Sequence, residues 1–263
     1  MLRTENHHAS RAIVSTVLAA AILAAPAAAA ESFVDGWEDG TTSCWVGNTI
    51  DTELVVETEQ GNPGGWIRSY PTDGPGQAGL STTKPEVLGN WITSGVSGLA
   101  VDARGVISVP TVAGFRVRES GVSNGWYYAV DVEQITETWS TVEAPIDPTW
   151  NDEEAIAAGW VKIGENDPGW EATLASHFQL SFRAFSGVPG FEMGYDNFRV
   201  TFDGPSCTAD INQDATVDVE DLIILLAGWD VCNCCPHDVN RDRMINFGDL
   251  VPLLGQWGPC PTK

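Results

Sequence analysis

Short runs of alternating apolar and polar residues, rich in β-branched and aromatic side chains, dominate the chain up to Phe202. They fall at 53–59, 66–70, 97–102, 106–109, 115–118, 126–132, 138–142, 178–185 and 198–202. Alternation with period two buries one face of a strand and leaves the other wet. Gly and Pro clusters separate the runs about every ten residues, the spacing of an antiparallel sandwich. One helix is predicted at 152–158, with Asn151 as N-cap and Gly159 ending it. Residues 31–203 therefore read as a single antiparallel β-sandwich of the jelly-roll kind, which makes the chain mainly β.

The pattern changes across Asp203-Gly204-Pro205-Ser206, where we place a domain boundary ahead of residues 204–263. Nine of the 11 Trp precede Gly204, whereas five of the six Cys lie between Cys207 and Cys260. Beyond the boundary the sequence repeats. Asp210-Ile-Asn212-Gln-Asp214 recurs 28 residues later as Asp238-Val-Asn240-Arg-Asp242, and the offset continues to Trp229/Trp257 and to Cys232/Cys260. So many matches at one offset mark a duplicated unit. Each unit reads as an acidic loop followed by a helix. Leu222, Ile223, Leu225, Leu226 and Trp229, and the matching Leu250, Val251, Leu253, Leu254 and Trp257, recur at helical spacing. Neither helix can bury that face alone, so the two are expected to pack on each other.

Oxygen-bearing side chains occupy loop positions 1, 3, 5, 9 and 12: Asp210, Asn212, Asp214, Asp218 and Asp221, then Asp238, Asn240, Asp242, Asn246 and Asp249. Ca2+ is a hard cation that takes six to eight oxygens, and this spacing is the EF-hand pattern. Position 7 offers a backbone carbonyl, here from Thr216 and Met244. A 12-residue loop closed by Asp, one following helix and a tandem copy resemble a dockerin domain, in particular the cysteine-bearing version ending Trp257-Gly-Pro-Cys260. The resemblance implies two bound calcium ions and a cohesin-type partner on a scaffold or cell surface. Two features depart from it. Loop position 6, normally Gly, is Ala215 and Arg243, which costs strain on the order of 1 kcal/mol where φ must be positive. Positions 10 and 11, which face the cohesin in familiar dockerins, are Val219-Glu220 and Phe247-Gly248. Pro252, inside the second helix, removes a backbone donor and is expected to bend it.

In two antiparallel copies the end of one helix lies near the start of the other loop. That places Cys260 beside Cys207, and closing a ~54-residue loop contributes about 3–4 kcal/mol in the chain-entropy model. Cys232–Cys235 is the symmetric partner bond, and Cys44 and Cys234 are left over as a candidate pair across the domains. The sequence does not fix the connectivity, since six cysteines allow about 15 arrangements. A competing reading is zinc, from Cys232-x-Cys234-Cys235-x-His237, although a secreted chain favours disulfides.

Secretion is the expectation from residues 1–30. Arg3 and Arg11 precede an apolar run, and Ala28-Ala29-Ala30 before Glu31 forms a small-x-small cleavage site. No later segment approaches the ~20 apolar residues of a membrane span. With 36 Asp+Glu against 13 Lys+Arg the formal net charge is −23, which argues against nucleic acid or anionic lipid as partners. A second resemblance, to the laminin B (laminin IV type A) domain and its bacterial relatives, rests on three motifs. These are Gly61-Asn-Pro-Gly-Gly-Trp66-Ile, Leu88-Gly-Asn-Trp91 and Tyr195-Asp196-Asn197-Phe198-Arg-Val. It implies a jelly roll used in matrix or surface recognition, without general enzymatic activity. Related jelly rolls hold one structural calcium where the first and last strands meet, and by that analogy Asp35, Glu38 and Asp196 are candidate ligands.

Catalytic patterns are weaker. Gly121-Val-Ser123-Asn-Gly125 matches the nucleophile elbow, but Asn124-Gly125 between two β runs signals a hairpin. Gly74-Pro-Gly76-Gln-Ala-Gly79 leads into no helix and reads as a loop. Asp131, Glu133 and Glu137 alternate as if onto one strand face, where a carboxylate pair for glycoside cleavage can arise. Some of the nine Trp are available for sugar stacking, with Trp126-Tyr127-Tyr128 foremost, so Trp126 and Tyr128 are the candidates although alternate members must point inward. The expected function is a secreted, calcium-binding, non-catalytic recognition protein, whose jelly roll binds matrix or polysaccharide. The alternatives are a small polysaccharide-degrading enzyme and a purely structural surface protein.

Overall fold

The structure, a computed structural model, describes residues 33–84, 87–119, 124–166, 168–202, 207, 209–212, 214–231, 237–239 and 244–260. The leader at 1–30, the linker at 203–206, Gly121–Ser123 of the hairpin, Cys232, Cys234, Cys235, Asn240, Asp242 and Arg243 lie outside the described residues.

In chain order the first region contains β1 (Phe33–Asp35), β2 (Trp45–Gly47), β3 (Thr52–Gly61), β4 (Gly64–Pro71), β5 (Leu80–Thr82), α1 (Trp91–Ser94), β6 (Val96–Ile107), β7 (Val112–Glu119) and β8 (Gly125–Ala129). A 3-10 turn at Val132–Gln134 leads to β9 (Ser140–Pro145), α2 (Asp152–Ala157), β10 (Trp160–Ile163), α3 (Trp170–Ala175), β11 (His177–Phe185) and β12 (Glu192–Phe202). Two six-stranded sheets result. The first runs β3-β4-β12-β6-β9, with β1 alongside β12, and the second runs β10-β8-β7-β11-β5-β2. Every pairing is antiparallel. This is the expected sandwich, with one merger: the run at 97–102 and the first half of the run at 106–109 belong to the single strand β6, which ends at Ile107. Paired to β12 on one side and β9 on the other, β6 continues through the polar Arg104 and Gly105.

Alternation decides what each strand buries. On β7 Ala113, Phe115 and Val117 point into the core, as do Leu180, Phe182 and Ala184 on β11. Seven of the nine Trp of this region are buried: Trp37, Trp45, Trp66, Trp91, Trp126, Trp160 and Trp170. Trp170 is their hub beneath the helices, with ring centroids 5.2 Å from both Trp126 and Trp160. A buried indole N–H usually finds an acceptor. Trp170 donates to the Asp147 carbonyl at 3.0 Å and Trp160 to the Pro145 carbonyl at 2.7 Å. Helix α2 carries a full capping box on Asn151 and Glu154, and Gly159 follows it at φ 107°.

The second region has its own small core of Ala209, Val217, Leu225, Ile245 and Leu253. It contains β13 (Thr216–Val217), α4 (Val219–Ala227), β14 (Asp230–Val231), β15 (Met244–Ile245), α5 (Phe247–Gly255) and β16 (Gly258–Pro259). The pairing obeys the 28-residue offset. β13 pairs with β16 and β14 with β15, so each unit's loop strand pairs with the segment after the other unit's helix. Cys207 and Cys260 are joined by a disulfide, and the Cys260 N–H donates to the Ala215 carbonyl at 2.9 Å. Cys44 is also disulfide-bonded, to a partner outside the described residues. Helix α5 continues through Pro252. Among the described residues no helix is long and apolar enough to cross a membrane.

The Trp170 hub yields a stability prediction. Trp170→Ala leaves a cavity among three aromatic rings, Trp126, Trp150 and Trp160, and is expected to destabilise the sandwich by about 4 kcal/mol. Val251→Ala, on the exposed side of α5, is expected to stay within about 0.5 kcal/mol. Denaturant midpoints check both, and a Trp170→Ala cost no larger than that of Val251→Ala contradicts the assignment.

Candidate functional site

The outward positions of the second sheet form a polar face. The register aligns one row of them across four strands, Tyr127 on β8, Arg116 on β7, Ser181 on β11 and Ser81 on β5. Arg118 lies beside Gln179 in the next row, and Arg183 beside Gly114 in the row on the other side. Arg118 Nη1 donates to Gln179 Oε1 at 2.8 Å. Arg183 donates through Nε and Nη2 to Gln77 Oε1 at 3.0 and 2.8 Å. A Cβ on Gly114 would lie 2.6 Å from the Tyr127 hydroxyl, so the absence of a side chain there lets the phenol lie down across the sheet. That hydroxyl is buried and has no hydrogen-bond partner among the described residues. Burial and the neighbouring charges of Arg118 and Arg183 push Arg116 down to about 10. Arg118 is lowered by the same two causes, burial and Arg183. Burial raises Tyr127, with Arg183 opposing.

The expected stacking pair is corrected by this face. Trp126 is wholly buried in the core against Trp170, so it presents no surface to a sugar. Tyr128 points the same way and packs on Trp160 at 5.4 Å. Their neighbour Tyr127 is the outward residue, because a one-residue step changes the face. Asp131, Glu133 and Glu137 do not share a strand face either. Asp131 caps the 3-10 turn that contains Glu133, and Glu137 follows in the loop before β9. The arginines were not among the expected site residues. Their signal was the Arg116-Val-Arg118 alternation next to Phe115, which puts both cations on the wet side of a strand.

A second cluster sits where the first and last strands meet. The three expected ligands separate there. Asp35 accepts from Lys84 Nζ at 2.5 Å and from Trp45 Nε1 at 2.8 Å in a buried ion pair, so its charge is already matched. Glu38 and Asp196 do come together, with Asn197 as the third member. A Cβ on Gly36 would meet Asn197 Oδ1 at 3.3 Å, Asp196 Oδ1 at 3.7 Å and Glu38 Oε1 at 3.8 Å, so three oxygens converge on one small space. Glu38 Oε2 is held by the Gly65 N–H at 2.9 Å, and Asp196 by the N–H groups of Asn62 and Asn197 at 2.5 and 2.7 Å. Burial raises Asp196 from 3.8 to about 6; those two hydrogen bonds oppose, and the charges of Glu38 and Asp102 add to the rise. Asp102 goes the other way. Burial pushes it up, but hydrogen bonds from Thr141, Asn197 and Arg199 with the Arg199 charge outweigh that and lower it.

In the C-terminal unit Asp210, Asn212, Asp214, Asp218 and Asp221 line one loop. Their oxygens cap backbone N–H groups: Asp210 those of Asp214 and Ala215, Asp214 that of Thr216, and Asp221 those of Ile211, Asn212 and Asp218. Asp218 accepts from the Glu220 N–H at 2.7 Å. Ala215 takes φ 71°, the left-handed conformation expected at loop position 6. Burial raises Asp210, opposed by the Ala215 and Asp214 N–H groups and reinforced by the charges of Asp221 and Asp214. In the second loop Asp249 is buried and closes a capping box with Asn246, Asp238 is buried, and Met244 lies on β15. Cys207, Asp210 and Cys260 also cluster, but the two sulfurs are joined to each other and offer no thiolate to a metal.

No protein-family model and no curated protein matches the chain. Among solved structures it is similar to a family 11 carbohydrate-binding module from Clostridium thermocellum, determined with a β-1,3-1,4-mixed-linked tetrasaccharide. Identity is 15% and the TM-score 0.47, over 67% of this chain and 98% of that one. It is also similar to the CBM22-1 xylan-binding domain of Paenibacillus barcinonensis Xyn10C, at 18% identity and TM-score 0.43, over 68% and 98%. An exo-β-agarase shows 14% identity and TM-score 0.47 over 70% of this chain, which spans 26% of the agarase. At these TM-scores none of the three likenesses assigns the chain to a family.

The Asp196 cluster has a definite pH signature. A carboxyl raised above its unfolded value holds its proton in the native state between about pH 4 and 6. The stabilisation is full below that window and lost as pH rises through about 6. Carboxyl-carbon NMR in the presence of a chelator is expected to show Asp196 titrating near 6, and Glu38→Gln to lower that midpoint. A midpoint near 3.8 in the unmutated chain contradicts the described packing.

Proposed function

We propose that the protein is a secreted, non-catalytic recognition protein. The second sheet's outer face holds a polysaccharide, and the C-terminal unit attaches the chain to a scaffold or cell surface. The observation that carries this reading is the register row that turns a phenol and a guanidinium group away from the sandwich core side by side, with the Ser181 and Ser81 hydroxyls of the same row buried. Sugars are recognised by planar hydrogen-bonding groups on a rigid scaffold, and strands supply such rigidity better than loops.

The C-terminal unit acts, on this reading, as a dockerin-like module folded around calcium. Its first loop fits a hard cation: five oxygen-bearing side chains surround it, and the mutual charge of Asp210, Asp214 and Asp221 is the repulsion a divalent ion relieves. Asp238, Asn246 and Asp249, with Asn240 and Asp242, offer the second set. Glu38, Asp196 and Asn197 fit a structural calcium in the sandwich, and Asp35 does not take part. For the partner, each helix leaves an apolar stripe outside its core: Val219, Ile223 and Leu226 on α4, and Phe247, Val251 and Leu254 at the matching positions of α5. Two such stripes on a small unit mark an interaction surface, and a cohesin-type module is the partner that fits the resemblance.

Two experiments test the reading. Calcium titrated into the full chain after chelation is expected to bind with uptake of heat or release of protons, and Asp210→Ala with Asp221→Ala to abolish one binding event without unfolding the sandwich. An unchanged isotherm contradicts the first loop as a ligand set. Electrophoresis through gels containing polysaccharides is expected to retard the protein with no release of reducing ends. Reducing ends released in step with enzyme concentration would make it an enzyme instead.

A further inference from the structure

The β3–β4 hairpin is irregular near its tip. Glu57 pairs with Trp66 and Gly61 with Gly64, so residues 58–60 of β3 stand opposite the single Gly65 of β4. Such a bulge bends its strand and takes backbone groups out of the ladder, where they need other partners. Two indoles supply them. Trp66 Nε1 donates to the Glu59 carbonyl at 2.7 Å, and Trp139 Nε1 donates to the Gln60 carbonyl at 3.0 Å. Trp66 belongs to the hairpin itself. Trp139 stands just ahead of β9, 79 residues along the chain from Gln60, and β12 and β6 lie between β9 and the hairpin in the sheet. The two rings meet edge to face at 5.7 Å, and Arg104 of β6 lies against both, 4.5 and 4.7 Å from their centroids. Gly194 of β12 makes room beneath them, since a Cβ there would lie 3.0 Å from Trp66 and 3.1 Å from Arg104 and Trp139. Lys84, Lys162, Arg199 and Arg68 each face a carboxylate. Among the described residues Arg104 meets none, and its contacts are the two rings.

The bulge brings the hairpin tip onto the Glu38–Asp196 cluster. The Asn62 N–H donates to Asp196 Oδ2 at 2.5 Å, Asn62 Nδ2 donates to Asp102 Oδ2 at 3.2 Å, and the Asn62 carbonyl accepts from Asn197 Nδ2. The Gly65 N–H donates to Glu38 Oε2 at 2.9 Å. Glu38, Asp196 and Asn197, whose oxygens converge near Gly36, are thus each bonded to the tip. We infer that Trp139 is a positioning residue for the cation site of the sandwich. Through the Gln60 carbonyl and the stack with Arg104 and Trp66, it holds the bulged tip that orients those three side chains. The inference deepens the structural-calcium reading of this cluster and rests on it. Two carboxylates brought together repel each other, so their convergence needs groups that hold them in place. Residues behind a metal's ligands do this work, and a site that is already arranged loses less on binding. The stack also accounts for a cation kept without an acid, because indole faces attract a guanidinium.

The test titrates Ca2+ into the chelated full chain and follows amide and indole N–H signals by NMR, which separates the sandwich from the C-terminal loops residue by residue. The reporters are the amides of Asn62, Gly65 and Asn197 and the Trp139 indole. In the unmutated chain they are expected to shift along one calcium isotherm. Trp139→Phe keeps a ring beside Arg104 and removes only the N–H donor. At a temperature where both chains are folded, it is expected to weaken that isotherm about five- to ten-fold. The Asn62 and Gly65 amides are expected to exchange with solvent faster, and the amides of the Asp210 loop to keep their own isotherm. Arg104→Gln, which empties the space between the rings, is expected to weaken the sandwich isotherm about three-fold and serves if Trp139→Phe fails to fold. Glu38→Gln separates the two readings. If the unmutated chain shows no shift at the reporters, or Glu38→Gln leaves the shifts as they were, the cluster is no cation site and both readings fall. If Glu38→Gln abolishes the shifts while Trp139→Phe changes neither affinity nor exchange, the cation site stands and the positioning role is overturned. A Trp139→Phe effect confined to the thermal midpoint overturns it as well.

Discussion

The pleat of β7, pinned by aromatic rings on its inward side, is the constraint on which the rest depends. Phe115 packs on Phe182 at 4.9 Å and on Phe198 at 5.9 Å, so its side chain has one direction available. Once Phe115 points in, Val117 follows it, and Gly114, Arg116 and Arg118 must point out. A shift by one residue would bury two guanidinium groups and expose a phenylalanine, an exchange costing several kcal/mol. The neighbouring strands inherit the same parity through the ladder. On β8 it buries Trp126 and releases Tyr127; on β11 it buries Phe182 and releases Arg183. The polar face is therefore a consequence of core packing.

Electrostatics divides the molecule into parts that are closed and parts that are open. The Asp35–Lys84 pair is closed: two buried opposite charges in contact, with Trp45 supplying a further donor. The Asp102 network is closed in the same way by Arg199, Asn197 and Thr141. Two parts hold like charges together. Glu38 and Asp196 converge near Gly36, and the loop carboxylates near Asp210. Both sets suit a hard cation in the proposed reading.

Much of this was legible in the sequence. The sandwich followed from turn spacing and alternation, the capped helix from Asn151 and Glu154, and the Cys207–Cys260 bond from the antiparallel arrangement of two copies. The 28-residue repeat reappears as the crossed pairing of β13 with β16 and β14 with β15. What escaped did so for physical reasons. β1, β2 and β5 are three residues long, too short for period two to register. Asp35 carries the same chemistry as Glu38, and nothing local shows that Lys84, 49 residues away, neutralises it. The run Trp126-Tyr127-Tyr128 fixes which members share a face but not which face is wet, so the wrong pair was favoured. Arg183 joins Arg116 only through pairing between β7 and β11, a contact that no local pattern encodes.

The most direct test of the account is to map a bound oligosaccharide by backbone and arginine side-chain NMR. The shifts are predicted to concentrate on the outward residues of β7, β8 and β11, with the Arg116, Arg118 and Arg183 guanidinium signals moving most and the interleaved inward residues moving least. Shifts centred on the first sheet or on the loops near Glu38 and Asp196, with the three arginines unmoved, would contradict it.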